Sequence, residues 1–126
     1  MEKKPIQIEG APAPIGPYSQ GIVSGNIVFL SGQICLDPAT GEMNDADVET
    51  ETRQVMQNIG ALLQAEGLDY QNILKASIFL KDLNDFDKVN KVYASFLEGP
   101  YPARECVQVS KLPKDVRVEI SVIVGK

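Results

Sequence analysis

Two oppositely charged residues lie near the C-terminus, inside stretches that otherwise alternate apolar side chains as strands do. Arg104 opens the first stretch, residues 104–109, and Glu119 lies within the second, residues 116–124. A guanidinium can bind a carboxylate through two parallel hydrogen bonds. A glutamate close by can hold and activate a water molecule. Together the two side chains would suit a small carboxylic acid that carries a reactive carbon.

The two stretches flank a turn signal at residues 112–113, which favours a hairpin. A loop centred there would place Cys106 opposite Glu119. Because side chains alternate between strand faces, this register predicts one polar face and one apolar face. The predicted polar face contains Arg104, Cys106, Gln108, Arg117, Glu119 and Ser121. The alternative interpretation is a cross-strand ion pair on a solvated face, worth only about 0–1 kcal/mol.

The composition excludes several common chemistries. The 126 residues include no histidine, so neither a Ser-His-Asp site nor a Cys-His site can form. The chain has no C-x-x-C motif, no acidic metal loop and no glycine-rich phosphate-binding motif, so we expect no metal and no cofactor. The net charge of −5 and the absence of a basic run argue against a nucleic-acid partner.

Length and patterning predict one domain over residues 1–126. No apolar run is long enough for a transmembrane helix, and the N-terminal residues do not form a signal-peptide core. The two cysteines, Cys35 and Cys106, then fit a reducing compartment. We therefore expect free thiols, no membrane association and a cytoplasmic location.

Hydrophobic periodicity predicts the elements that would position Arg104 and Glu119. Two β-rich runs around a Gly-Asn pair predict a tight hairpin over residues 21–30. A helical period covers residues 45–66, and alternation over residues 74–81 predicts a strand. A second helix is predicted after an N-cap at Asn84. The apolar stripe of the first helix comprises Val48, Val55, Met56, Ile59, Leu62 and Leu63, with Thr52 filling a gap.

The order hairpin, helix, strand, helix, hairpin predicts an α+β chain with both helices on one sheet face. The other face would carry Phe79 and Ile123, and its apolar character predicts that oligomerisation covers it. Asn90 lies on the apolar stripe of the second helix. Such a residue either fixes helix packing or reaches toward a pocket.

Several short motifs occur in a fixed order along the chain. They are GPYSQ at residues 16–20, LSGQ at 30–33 with LDP at 36–38, KDLNDF at 81–86, PAR at 102–104 with Cys106, and LPK at 112–114 with VEI at 118–120. In this order they resemble the RidA/YjgF family of imine and enamine deaminases. The resemblance covers nearly the whole chain, and the motifs together are highly specific.

The resemblance implies a chorismate-mutase-like fold, in which a mixed sheet carries two helices on one face. Three chains would form a homotrimer whose sheets enclose a central barrel, with pockets between subunits. The implied activity is that of a 2-iminobutanoate/2-iminopropanoate deaminase, without a cofactor. Enamines and imines such as 2-aminoacrylate, released by pyridoxal-phosphate enzymes, would be hydrolysed to 2-keto acids and ammonia.

The resemblance also implies a role for each site residue. Arg104 would bind the substrate carboxylate, and Glu119 would position and activate the attacking water. The other residues expected to line the pocket are Tyr18, Ser31, Gly32, Asn90 and Cys106. The pocket role is therefore favoured for Asn90. We expect Cys106 to contribute its main chain more than its sulfur, with a thiol pKa raised by the nearby Glu119.

The chain departs from the family pattern at three places. Glu105 stands where Ser or Thr is common, and Cys35 stands where Pro is common. The stretch 97–101 is shorter than in some relatives. We expect Glu105 to face away from Arg104, Cys35 to be buried and inert, and the short stretch to border the pocket. The preferred imine therefore stays open.

Three other functions stay open at this point. The same pocket could bind 2-keto acids without turnover, as a regulatory module, although both Arg104 and Glu119 are present. Some relatives have ribonuclease or translation-inhibitor activity, which conflicts with the acidic pI of about 4.7 and the absent histidine. A holdase-like secondary role has no sequence signature that would identify it.

Overall fold

One six-stranded sheet and two long helices make up the fold in the computed structural model, which describes residues 2–126. The elements are β1 (Lys4–Ile6), β2 (Gly21–Ser24), β3 (Ile27–Gln33), α1 (Val48–Ala65), β4 (Ile73–Leu80), α2 (Phe86–Ser95), β5 (Ala103–Gln108) and β6 (Val118–Gly125). The strand order is β1-β2-β3-β6-β4-β5, with antiparallel neighbours except for the parallel pair β4 and β5. This mixed sheet with two helices confirms the predicted α+β class. Within residues 2–126, no helix is long and apolar enough to cross a membrane.

The predicted hairpin of β5 and β6 is wrong. β4 lies between them, because Ile78 is paired with Cys106 of β5 on one side and with Ile120 of β6 on the other. The chain crosses over through α2 between β4 and β5, as parallel neighbours require. β6 then takes a central position between β3 and β4. Alternating side chains identified both strands correctly, but alternation carries no information about which strands pair.

The first helix confirms its prediction closely. The Asp47 side chain caps α1 by accepting a hydrogen bond from the Thr50 N–H at 2.7 Å. At the other end Gly67 takes a left-handed conformation with φ of 70°. The Leu68 N–H then donates to the Leu63 carbonyl at 2.9 Å, which closes the helix C-terminus. The whole predicted stripe, including Thr52, is buried against the sheet.

The second helix begins at Phe86, so the predicted N-cap at Asn84 is wrong. A short 3-10 turn, Leu83–Asp85, precedes α2 and contains Asn84. The cap of that turn is Asp82, whose side chain accepts a hydrogen bond from the Asn84 N–H at 2.9 Å. Asp and Asn are both good cap residues, so spacing alone did not distinguish them.

The sheet face without helices, here called the open face, carries Phe29, Phe79, Val107, Glu119 and Ile123. Phe29 is paired with Ile123, and Phe79 is paired with both Glu119 and Val107. Phe29 is 47% exposed and Val107 is 43% exposed. The predicted positions of Phe79 and Ile123 on this face are therefore confirmed, and within one chain the face stays largely uncovered.

Candidate active site

Glu119 lines a cavity of about 520 Å³ at the end of the sheet, here called the Glu119 cavity. Four predicted site residues meet there, namely Tyr18, Ser31, Gly32 and Glu119. Pro113 and Lys114, from the turn before β6, complete one wall. The remaining lining is mostly apolar and comes from the N-terminal loop and the segment after β3. This is the kind of concave, mainly apolar site, with a few polar groups, that binds small molecules.

The Glu119 carboxylate lies directly against the backbone of Gly32. A Cβ added at Gly32 would stand 2.6 Å from Glu119 Oε2, so any other residue there would force the Glu119 side chain to move. The β3–β6 pairing is irregular between Leu30 and Gln33, which leaves Ser31 and Gly32 without partners in β6. Burial raises the pKa of Glu119 above its ordinary value. A carboxylate with a raised pKa is a better proton acceptor than an ordinary one, which suits a group that takes up and returns protons.

Gln20 fixes the proline-rich loop that forms the outer wall of the Glu119 cavity. Its buried side chain accepts a hydrogen bond from the Ile8 N–H at 2.7 Å. Its amide donates to the carbonyls of Ile8, Ala11 and Pro12, at 3.1, 3.2 and 2.8 Å. A loop with few backbone donors of its own is thereby held next to Tyr18, which remains 50% exposed.

Arg104 lines a second cavity of about 490 Å³, here called the Arg104 cavity, between β5 and α2. Its guanidinium donates a hydrogen bond to Asn90 Oδ1. The rings of Phe86 and Tyr93 each lie 5.4 Å from Arg104 Cζ, within range of a cation–π contact. Asn90 therefore holds the arginine, and within residues 2–126 the other guanidinium N–H groups make no hydrogen bond, which leaves them available to a ligand.

The prediction that Arg104 and Glu119 share one sheet face is wrong. Arg104 is level with Ala76 of β4, on the face that the helices cover. Glu119 is level with Phe79, which belongs to the open face. Because β4 separates β5 from β6 and successive residues alternate, the two charges point to opposite sides of one chain. The predicted site is thus divided into two half-sites.

Cys106 lies on β5 beside Ile78, two residues from Arg104, and lines neither cavity. Burial raises the pKa of its thiol, and the positive charge of Arg104 opposes this shift. The predicted direction of the pKa shift is therefore confirmed. The predicted cause is wrong, because Glu119 is on the other face of the sheet.

Comparison with known proteins gives the family of this chain. Residues 8–125 match the family model described as endoribonuclease L-PSP. The chain is 50% identical to a RutC family protein of Pyrococcus horikoshii over 98% of each chain. It is 48% identical to the 2-iminobutanoate/2-iminopropanoate deaminase of Escherichia coli over 95% of each. The chain belongs to the RidA/YjgF family. A crystal structure of the Rid family protein YyfA from Yersinia pestis superposes with a TM-score of 0.96 at 44% identity, covering 99% of this chain and 100% of that one.

The structure shows the surroundings of Cys35 and Glu105, two residues that depart from the RidA/YjgF pattern. Cys35 is fully buried, and burial together with the neighbouring Glu51 raises its thiol pKa to about 12. Such a thiol stays protonated, and the predicted burial of Cys35 is confirmed. Glu105 faces away from Arg104, also as predicted, and binds Lys75 at 3.4 Å and the Ser77 hydroxyl at 2.8 Å.

The short stretch 97–101 borders the Arg104 cavity, as predicted, since Tyr101 lines it. Tyr93 of α2, three residues after Asn90, lines the same cavity. Its hydroxyl is buried and has no hydrogen-bond partner within residues 2–126. Periodicity could identify Tyr93 as a core residue, but it could not indicate that the ring contacts Arg104.

Sequence reasoning missed the backbone conformation of the turn before β6, which brings Pro113 and Lys114 to the Glu119 cavity. Lys114 has φ of 57°, and Asp115 has φ of 56°. Two successive left-handed residues other than glycine are uncommon and indicate a turn that the surrounding structure holds in place. The ion pair between Lys81 and Asp115 contributes to this. The only sequence signal was the Leu-Pro-Lys turn itself.

Proposed function

We propose that this protein is a 2-imino acid deaminase, which hydrolyses small imines and enamines to 2-keto acids and ammonia. The observation that carries the proposal is the pair of half-sites. Arg104 offers a carboxylate-binding group in one cavity, and Glu119 offers a proton-transfer group in the other. The 48% identity to the E. coli 2-iminobutanoate/2-iminopropanoate deaminase supports this assignment.

One substrate molecule can contact both half-sites only if a second copy of the chain contributes one of them. The open face supports such an assembly, because it exposes Phe29 and Val107 to solvent in a single chain. We propose a homotrimer in which the three open faces form a central barrel and each active site lies between two subunits. Light scattering on the purified protein is expected to give three times the mass of one chain.

The chemistry requires no cofactor. The carbon of a protonated imine is already electrophilic, so a positioned water is a sufficient nucleophile. Arg104 binds the substrate carboxylate and removes its orientational freedom. The contacts of Arg104 with Asn90, Phe86 and Tyr93 hold the guanidinium in place before the substrate arrives.

Glu119 is proposed to move the protons of the reaction. As water adds to the imine carbon, Glu119 accepts one proton from it and passes that proton to the nitrogen. The carbon–nitrogen bond of this carbinolamine then breaks, ammonia leaves, and the hydroxyl oxygen becomes the keto oxygen as it loses its proton. The raised pKa of Glu119 suits this exchange, because the group both takes up and returns a proton.

A coupled assay tests the proposal. A dehydratase releases 2-aminoacrylate, and keto-acid formation is followed with wild type, Arg104→Ala and Glu119→Gln. The wild type is expected to accelerate formation above the spontaneous rate. Arg104→Ala is expected to abolish this acceleration, and Glu119→Gln to reduce it by about 10²–10⁴-fold. Arg53→Ala, which removes an exposed arginine of α1, is the control and is expected to behave as wild type.

If the wild type gives no acceleration but still binds 2-keto acids in an Arg104-dependent way, the protein is a keto-acid-binding module and the deaminase proposal is wrong. The binding measurement uses isothermal titration with 2-oxobutanoate. Arg104→Ala and Arg53→Ala again provide the comparison, because only the former lies in a cavity with Asn90 and Tyr93.

A further inference from the structure

Glu51 is an acidic residue of α1 whose side chain is buried, with only 1% exposure. Its Oε1 accepts a hydrogen bond from the backbone N–H of Arg117 at 2.9 Å, and its Oε2 accepts one from the Arg117 guanidinium at 3.0 Å. The Cys35 thiol also donates to Oε1, at 3.6 Å. A buried carboxylate is stable only with such partners. Glu51 therefore joins the helix to two segments that are distant in sequence.

Both of these segments are walls of the Glu119 cavity. Cys35 lies between two residues that line the cavity, in the segment that follows β3. Arg117 lies two residues before Glu119 and immediately precedes β6. Glu51 itself does not line the cavity. Its contacts thus hold the Cys35 and Arg117 segments in place from a position outside the cavity, where a substrate would not touch it.

Direct strand pairing between these two walls is interrupted beside Gly32. The β3–β6 ladder pairs Leu30 with Val122 and Gln33 with Ile120, and it is irregular in between. Gly32 has no partner in β6, although the Glu119 carboxylate lies close against its backbone. Pairing with β4 holds the other edge of β6, where the Lys81 N–H donates to the Arg117 carbonyl at 3.0 Å. On the edge that faces β3, the Arg117 N–H donates instead to Glu51, at the point where the ladder is interrupted.

We propose that Glu51 is a positioning residue, which sets the place of the Glu119 carboxylate through the backbone of Arg117 and the thiol of Cys35. This inference rests on the proposed deaminase function for its kinetic meaning. The length of the Glu51 side chain is the property that matters, because its oxygen must come within hydrogen-bond distance of the Arg117 N–H. The charge of Glu51 matters less, because a neutral oxygen can accept the same hydrogen bond.

Two variants separate the length of the side chain from its charge. Glu51→Asp keeps the charge and shortens the side chain by one methylene, so that its oxygen is withdrawn from the Arg117 N–H. Glu51→Gln keeps the length and an acceptor oxygen and removes the charge. The matched control is Glu66→Asp, since Glu66 forms an ion pair with Lys126, at 3.3 Å, at the far end of β6.

Glu51→Asp is expected to lower kcat about tenfold while KM stays within about twofold, because misplacing a reacting group slows chemistry and Arg104 binds the carboxylate elsewhere. Glu51→Gln is expected to keep kcat within about threefold of wild type. Glu66→Asp is expected to keep both constants. Rates are compared at equal concentrations of folded protein, well below each unfolding midpoint.

Wild-type kcat in Glu51→Asp would overturn the proposal. So would a tenfold loss in Glu51→Gln, since charge and not reach would then be responsible. If Glu51→Asp does not fold, Arg117→Met provides the second test, because it deletes the guanidinium and keeps the backbone N–H. It is expected to keep kcat, and a tenfold loss there would contradict positioning through the backbone.

A second readout is independent of turnover. Titration of the Glu119 carboxyl, followed by ¹³C NMR, is expected to give a lower pKa in Glu51→Asp than in wild type, since a displaced side chain gains water. Glu66→Asp is expected to leave this pKa unchanged. If wild type is inactive, the deaminase proposal fails alone, and an unchanged Glu119 pKa in Glu51→Asp would overturn the positioning role separately.

Discussion

At the scale of single residues, the candidate site depends on the close contact between the Glu119 carboxylate and the backbone of Gly32. The carboxylate occupies the space that any side chain at residue 32 would need. The interrupted ladder exposes the Gly32 backbone toward the cavity, so that a polar main chain and a carboxylate face the same small volume.

Gly32→Ala is expected to reduce kcat by about 10–100-fold, because the added methyl displaces the Glu119 carboxylate. Gly10→Ala is the control, since a Cβ at Gly10 would meet its nearest neighbour at 3.7 Å, an ordinary contact. Steady-state kinetics in the coupled assay provide the measurement. Equal kcat in the two variants would refute the importance of the Gly32–Glu119 contact.

The raised pKa of Glu119 has a consequence for stability. A folded chain whose carboxyl has a raised pKa binds protons more tightly than the unfolded chain does. The free energy of unfolding therefore falls as pH rises from the ordinary carboxyl pKa through the raised one. Glu119→Gln is expected to raise the unfolding midpoint at pH 7 and to have less effect at acid pH.

Glu105 lies on the same sheet face as Glu119, but its pKa is shifted in the opposite direction. Its pKa is lowered by the Ser77 hydrogen bond and by Lys75, so its contribution to stability is present at neutral pH and is lost on acidification. Glu105→Gln is expected to lower the midpoint at pH 7. Thermal unfolding at several pH values, followed by circular dichroism, tests both. If Glu119→Gln and Glu105→Gln shifted the unfolding midpoint at pH 7 in the same direction, the opposite pKa shifts assigned to the two carboxyl groups would be contradicted.

At the scale of elements, the N-terminal loop depends on one side chain. Gln20 makes four hydrogen bonds to the backbone of Ile8, Ala11 and Pro12, which local secondary structure does not satisfy. The loop contributes lining residues to the Glu119 cavity, and Gln20 lines the cavity as well. Loop order and the shape of the cavity are therefore linked.

Gln20→Leu is expected to lower the free energy of unfolding by about 2–4 kcal/mol, since each hydrogen bond contributes roughly 0.5–1.5 kcal/mol. It is also expected to raise KM, because the wall of the cavity loosens. Urea denaturation at a fixed protein concentration gives the first quantity and the coupled assay the second. Gln57→Leu, an exposed position on α1, is the control. A stable Gln20→Leu with unchanged KM would show that the loop is held in another way.

At the scale of the whole molecule, the proposed homotrimer would account for both the two half-sites and the open face. Arg104 and Glu119 lie on opposite faces of the sheet, and the open face exposes apolar side chains. An assembly of several copies would cover the apolar face and bring an Arg104 cavity to a Glu119 cavity of the next copy. A monomeric enzyme would require a different arrangement of these groups.

Mixing inactive variants tests this arrangement directly. Arg104→Ala and Glu119→Gln chains are unfolded together and refolded, so that subunits combine at random. If each site takes its arginine from one copy and its glutamate from another, about a quarter of the sites regain both groups. Activity near a quarter of wild type is expected. Activity no higher than that of the separate variants would place both groups in one chain.

Local sequence was sufficient for the elements whose contacts are local. The stripe of α1, its end at Gly67 and the tight turn of β2 and β3 were all predicted, because periodicity and turn residues act over a few positions. Alternation likewise identified the open face through Phe79 and Ile123. The choice of Arg104 and Glu119 as candidates came from the types of their side chains and from the family motifs.

Only the tertiary structure decided which strands are neighbours. It thereby also decided on which face of the sheet Arg104 and Glu119 lie. The long connection between β5 and β6 sets no register, and β6 gains more by lying between β3 and β4, where its buried residues from Val118 to Val124 pack beneath α1. That position turns Glu119 to the open face and leaves Arg104 beside α2. Strand partners depend on the packing of the whole core, which no local pattern of residues contains.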